Sequence, residues 1–197
     1  MIIYAVIDTN VLVSSMLTHN QNSPTRQILG KVRDGVIVPM INDDILEEYT
    51  DVLSRVKFSF VQTDIDQMLN LFNNRGQRWI PDCLRQVFID SNDVIFYETY
   101  LMKDDAYLVT GNLKHFPQEP RVVSPADMIS ILNISSKTSG NLLNEPGLPY
   151  LPSSISIAWD AVERMRASAF ENGISDMSME EIDEEIRQYR EERRRCL

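Results

Sequence analysis

A few acids and one amide stand where a fold can bring them together. Asp8 follows directly on the apolar run Ile2–Ile7. Asn112 follows Leu108-Val109-Thr110-Gly111. Glu48 borders the apolar stripe of an amphipathic segment, and Asp90 and Asp93 precede another. Carboxylates drawn to one point repel, and their pKa values rise unless a cation neutralises them. A hard divalent ion, Mg²⁺ or Mn²⁺, relieves that repulsion, lowers the pKa of bound water and stabilises charge developing on a phosphoryl oxygen. Oxygen is what this chain offers. It has two histidines, His19 and His115, and two cysteines, Cys83 and Cys196. Those are too few for a His-rich zinc centre or a disulfide framework. Each acid alone has a plainer account as a turn, cap or solvated residue. Only their joint arrangement argues for chemistry.

The elements that must position them follow an α/β pattern. Residues 2–7 and 36–41 are apolar runs of the kind buried on both faces of a parallel sheet. Shorter strands are expected over 107–109 and 121–123. Helices are expected over 11–17, 44–55, 64–74 and 93–102, and from Pro125 onward. Asn42-Asp43-Asp44 supplies N-cap chemistry for the second of these, whose apolar stripe is Ile45, Tyr49, Val52, Leu53 and Val56. Strands alternating with helices give a parallel sheet covered on both faces, which binds ligands at the carboxyl ends of its strands.

The 197 residues carry a net charge of −10, from 19 Lys+Arg against 29 Asp+Glu. That balance argues against a wide basic face for duplex DNA. Arg26, Lys31 and Arg33 form one small basic group, and Lys114 and His115 another that can touch phosphate. The N-terminus lacks a basic n-region and a small-residue cleavage site, and no apolar run reaches the roughly 20 residues of a membrane span. A cytoplasmic chain with no membrane partner is expected. Residues 134–154 are rich in Ser, Asn, Gly and Pro, so they read as a flexible linker between a domain over 1–133 and a helical segment over 155–197.

That last segment has its own pattern. A first helix has the stripe Ala158, Val162, Met165 and Ala169, and Asn172-Gly173 ends it. Ser178 and Glu181 form a capping box for a second helix, with Met179, Ile182, Ile186 and Tyr189 on one face. Six acids and no cation lie between Asp176 and Glu185, then five arginines between Arg187 and Arg195. This order suits the helix dipole. It also allows Arg187 or Arg190 to reach into the acidic cleft, pair with carboxylates and displace a metal.

The stretches VIDTNVLVSSML, ILEEYTDVLSR and DSNDVIFYETYLMKDDAYLVTGNLKHFP resemble, in order, three signature regions of PIN-domain ribonucleases. Together they are similar to PIN toxins of bacterial type II toxin–antitoxin systems over about residues 1–132. ENGISDMSMEEIDEEIRQYREERR resembles the toxin-wrapping part of an antitoxin. The resemblance implies a three-layer α/β/α fold with a central parallel sheet, a Mg²⁺ or Mn²⁺ site, cleavage of single-stranded RNA, and a homodimer. Residue by residue, Asp8 matches the family's first acid. Glu48 matches the second, rather than its neighbour Glu47. Asp93 matches the third, with Asp90 close by. Where a fourth acid often stands, this chain has Asn112, which adds no charge and puts a second metal in doubt. Glu98, on the same helix as Asp93, is an auxiliary acid or a surface residue. Thr9, Asn10 and Thr110 share the rim and can orient a metal shell or a phosphate.

The leading expectation is a metal-dependent endoribonuclease regulated by its own antitoxin-like helices, or by a separate antitoxin. Asp8, Glu48, Asp93 and Asn112 are its catalytic group, and single-stranded or looped RNA is its substrate. The alternative is a catalytically weak PIN-fold module for binding or assembly. A nuclease acting on structured DNA stands third.

Overall fold

The computed structural model describes residues 2–80, 93–138 and 152–196. Five parallel strands form one sheet: β1 (Ile3–Ile7), β2 (Ile37–Ile41), β3 (Gln77–Arg78), β4 (Tyr107–Val109) and β5 (Val122–Val123), in the order β3-β2-β1-β4-β5. Register sets Ile3 beside Ile37, Ala5 beside Tyr107 and Leu108 beside Val122. β1 is central because Ile3, Ala5, Val6 and Ile7 are buried, and only a central strand covered on both faces can bury such a run. From β1 the chain builds one half of the sheet through β2 and β3, then returns to build the other through β4 and β5. The carboxyl ends of β1 and β4 therefore flank the point where the strand order reverses, the usual place for a ligand crevice in such sheets.

The helices are α1 (Thr9–Leu17), α2 (Pro24–Arg33), α3 (Asp43–Leu53), α4 (Gln62–Arg75), α5 (Val94–Leu101), α6 (Pro125–Thr138), α7 (Ser153–Glu171) and α8 (Met179–Cys196). Asn42 caps α3 by accepting from the Ile45 amide at 2.7 Å, and donates to Thr99 Oγ1 on α5 at 2.9 Å. Tyr49 on α3 lies edge-on to Phe72 of α4 at 5.4 Å, and its hydroxyl donates to the Ile7 carbonyl at the end of β1. These contacts lock α3 to the sheet, and with it the residue before Tyr49, Glu48.

Several elements depart from the sequence expectation. α3 stops at Leu53, and Val56 lies beyond it at 93% exposed, so it is not part of the stripe. α2 and β3 were not expected at all. α2 has few apolar residues in a run also holding Thr, Arg, Gln, Gly and Lys, and β3 is two exposed residues, too short for any period to register. α6 continues to Thr138, five residues into the expected linker, and α7 begins at Ser153 within its far end. Residues 139–151 lie outside the described residues.

α7 buries Ile155, Ala158, Ala161, Val162, Met165 and Ala169 against α4 and α1. Its alanines let the helix approach closely. Arg166, also buried, donates to the Ser15 carbonyl at 2.9 Å and pairs with Glu163 at 2.8 Å. Arg164 grips Asp64 of α4 at 2.7 Å. The basic group of α2 faces this helix: Arg33 lies over the Trp159 ring at 4.3 Å, and Arg26 pairs with Glu163. Two of the three cations of that group are thus taken up by contacts with α7. The capping box forms as expected, with the Ser178 amide donating to Glu181 at 2.8 Å and the Glu181 amide to Ser178 Oγ at 3.2 Å. α8 then runs along α1 and α3. No helix among the described residues is long and apolar enough to cross a membrane.

Asn42→Ala removes the α3 cap and the tie to α5 together. It is expected to lower unfolding stability by about 1–2 kcal/mol in urea titrations. An unchanged midpoint would mean that neither bond holds α3 in place.

Candidate active site

Three acids converge at the carboxyl edge of the sheet from three elements. Asp8 ends β1, Glu48 comes from α3 and Asp93 precedes α5, and all are buried. Asp8 and Asp93 occupy the N-cap positions of α1 and α5, yet neither side chain makes a capping hydrogen bond. The plainer account of these acids as caps therefore fails; both carboxylates are directed to the cleft. Thr110 donates to Asp8 Oδ2 at 2.6 Å, and Thr9 to Glu48 Oε1 at 2.6 Å. Asn10 accepts from the Gly111 amide at 3.0 Å and so ties the loop after β1 to the loop after β4.

Arg190 of α8 lies on these acids. Its Nη1 donates to Asp93 Oδ1 at 2.7 Å and its Nη2 to Glu48 Oε1 at 2.8 Å, with all three side chains nearly inaccessible. Burial disfavours its charge, but Glu48 and Asp93 outweigh that and raise its pKa above the ordinary arginine value. Asp8 shows the opposite pressure. Burial first, and the nearby Asp93 second, push its carboxyl up to about 7, against the lowering pull of Arg190 and Thr110. One guanidinium does not neutralise three buried carboxylates, and holding a proton on Asp8 lowers the charge that remains.

Two further groups complete the cleft. His115, in a 3-10 turn over Leu113–His115, brings Nδ1 to 3.1 Å from Asp93 Oδ2 and Nε2 to 2.9 Å from Asn112 Nδ2. Asp183 of α8 accepts from Asn10 Nδ2 at 2.9 Å and from Asn112 Nδ2 at 3.3 Å. Burial raises the Asp183 pKa, opposed by the Asn10 hydrogen bond and His115.

The donor set suits Mg²⁺ or Mn²⁺: three carboxylates, hard oxygens only, with the buried Asp93 Oδ2 approached by His115 Nδ1 at 3.1 Å alone. As they stand, no three His, Cys, Asp or Glu side chains among the described residues are disposed to hold a metal ion. The Arg190 fork instead takes one carboxylate oxygen each of Glu48 and Asp93.

Other expected site residues lie elsewhere. Glu98 lines a separate pocket with Asn42, Asp43, Asp44, Arg78, Trp79 and Ile80. Five residues along a helix turn it about 140° from Asp93. Lys114 is exposed on a surface groove with Leu113, Pro117 and Gln118, and its neighbour His115 is the one that faces the acids. Arg187 is exposed and pairs with Glu184 and Glu191 of its own helix, so of the two candidate arginines only Arg190 enters the cleft. Glu47 pairs at the rim with Arg193 at 2.8 Å. Asp90 lies outside the described residues. Sequence reasoning missed Asp183. Its signal was available: it lies seven residues before Arg190, two helical turns away on one face, beside Ile182 and Ile186.

The shifted Asp8 has a measurable consequence. The folded chain holds a proton there up to about pH 7, whereas the unfolded chain releases it near the ordinary value of 3.8. Between those values folding takes up a proton, so stability is present at low pH and is lost as pH rises. With chelator present, Asp8→Asn is expected to stabilise the chain at pH 8 relative to pH 5 by about 1–3 kcal/mol, read from urea titrations at both. Equal effects at the two pH values would show an ordinary carboxyl.

A family model described as the PIN domain, generally a nuclease fold whose members are typically metal-dependent, matches residues 4–114. No curated protein and no solved structure matches the chain. The matched span covers more than half of the sequence and holds the strand ends and helices that carry Asp8, Glu48, Asp93 and Asn112, and the chain belongs to the PIN-domain family.

Proposed function

We propose that this chain is a Mg²⁺- or Mn²⁺-dependent endoribonuclease, a toxin-type PIN enzyme of the cytoplasm. It cleaves single-stranded or looped RNA and is held closed by its own antitoxin-like segment. In this reading residues 1–133 are the nuclease domain, 134–154 the linker and 155–197 the inhibitory arm. The observation that carries it is the two-pronged contact of Arg190 with Glu48 and Asp93, at 2.8 and 2.7 Å, inside an acidic cleft.

Asp8, Glu48 and Asp93 would hold the ion. When bound, it supplies Lewis-acid stabilisation of the scissile phosphate and lowers the pKa of the attacking water. The chain's own residues do the rest. Thr110 and Thr9 fix the free rotation of the Asp8 and Glu48 carboxylates, each through a short hydrogen bond. Tyr49, held by the Ile7 carbonyl, keeps α3 at its distance from β1. Asp93 receives the His115 imidazole, which restricts its rotation.

Inhibition follows from the same charges. The guanidinium neutralises carboxylates that the ion requires, and its aliphatic stem and helix cover the cleft. Removing one partner of a buried pair commonly costs about 3–5 kcal/mol, because the remaining charges stand uncompensated. An ion entering the cleft of an Arg190 variant would relieve that cost, so metal affinity is expected to rise.

The test uses the full chain. Arg190→Ala is expected to cut a single-stranded RNA in Mn²⁺ at least about tenfold faster than the parent chain, with tighter Mn²⁺ binding by calorimetry. Adding Asp8→Asn is expected to abolish the cutting. Equal, metal-independent activity in all three would overturn the proposal. A second reading, a binding module with little catalysis, is favoured by Asn112, whose amide stands where the family often has an acid. It predicts neither Mn²⁺ binding nor RNA cleavage by Arg190→Ala. Competition with structured DNA separates RNA from DNA as substrate.

A further inference from the structure

The acidic cleft continues into a cluster of donors that a metal site does not need. Asn10 follows β1 by three residues and Asn112 follows β4 by the same number. Both amides are fixed in direction. Asn10 Oδ1 accepts from the Gly111 amide, so its Nδ2 hydrogens point outward. Asn112 is held by its own amide, which donates to Thr110 Oγ1 at 2.9 Å. One of its Nδ2 hydrogens is directed to His115 Nε2, and the other is available to Asp183. This network assigns the His115 proton to Nδ1, facing Asp93.

What these donors hold is an anion. Asp183 Oδ1 takes Asn10 and Asp183 Oδ2 takes Asn112. The carboxylate comes from the same face of α8 as Arg190, seven residues earlier, a rise of about 10 Å. Placing an acid near an already crowded set of acids is unfavourable unless the local donors favour it. Met179, at the start of α8, lies directly against Gly111, where an added Cβ would stand 2.5 Å from its methyl carbon. The helix is thereby seated on the same loop that carries Asn112.

We infer that Asn10 and Asn112, with His115 orienting the second, form a phosphate subsite for the nucleic-acid substrate, and that Asp183 occupies it as a phosphate mimic. The inference rests on the nuclease reading above and specifies its substrate contact. α8 then copies two charges of a loaded site: Arg190 the cation on Glu48 and Asp93, Asp183 the phosphodiester anion on the two amides. Asn112 gains a definite role. A carboxylate at that position would accept only and would repel a phosphate, whereas the amide donates to one. Both amides are positioning residues, because they bind the anion rather than the attacking water.

The experiment measures binding without chemistry. A fluorescent single-stranded oligoribonucleotide is titrated with full-length chain in EDTA and read by anisotropy. Asp183→Asn is expected to tighten binding at least about tenfold. Glu184→Gln, which removes an exposed acid elsewhere on α8, is expected to leave binding unchanged. Asn112→Ala added to Asp183→Asn is expected to return affinity to the parent value, with urea titrations confirming that each variant folds. Three results overturn the subsite: no gain from Asp183→Asn, an equal gain from Glu184→Gln, or no loss from Asn112→Ala. Mn²⁺-dependent cleavage by Arg190→Ala is scored separately. Cleavage without the binding gain sinks the subsite alone, and a binding gain without cleavage sinks the nuclease reading alone.

Discussion

Buried carboxylates at the end of β1 impose the constraint around which the cleft is organised. Asp8, Glu48 and Asp93 are drawn together by three separately anchored elements, and like charges in a poorly solvated space repel. The chain answers with the Arg190 guanidinium, and a raised Asp8 pKa leaves room for a proton. A cation relieves the repulsion in such a cluster, which is the same property that would draw in a divalent ion. Under the proposed function, charge compensation links the two states, because Arg190 holds oxygens that a divalent ion would take.

Arg190 reaches its position only because other contacts deliver it. α7 docks first in this chain of dependence. Its alanine-lined face packs closely on α4 and α1, and Arg166 and Arg164 fasten it to Ser15 and Asp64. The turn at Gly173, with its positive φ of 69°, reverses the chain, and the capping box starts α8 beside the loop after β4. From there Ile182, Ile186 and Tyr189 hold α8 against the domain, and Arg55 and Arg193 add rim pairs with acids. The exposed rim pairs contribute little stability.

The legible part of the site lay at strand ends. An apolar run followed by Asp8, and another followed by Thr110 and Asn112, mark the places where a parallel sheet gathers polar groups. Glu48 was legible from its neighbour, because a buried Tyr49 forces the preceding residue to the edge of the stripe. Glu98 was not, because nothing local says which side of α5 meets the cleft. Asp183 was hidden among the acids of α8. Most of those acids are solvated, and charge type alone does not separate the one that enters the cleft.

The amino-acid sequence by itself determined the alternation of strands and helices, the acids at the strand ends, the capping box and the charge polarity of α8. These are local properties, set by side-chain periodicity, backbone preference and position along one element. The tertiary structure alone decided that Arg190 rather than Arg187 meets Glu48 and Asp93, that Asp183 meets Asn10 and Asn112, and that Lys114 faces away. Those outcomes depend on how far α8 slides and rotates along α1. Packing of α7 and the seat of Met179 on Gly111 fix that placement, through contacts between residues far apart in the chain.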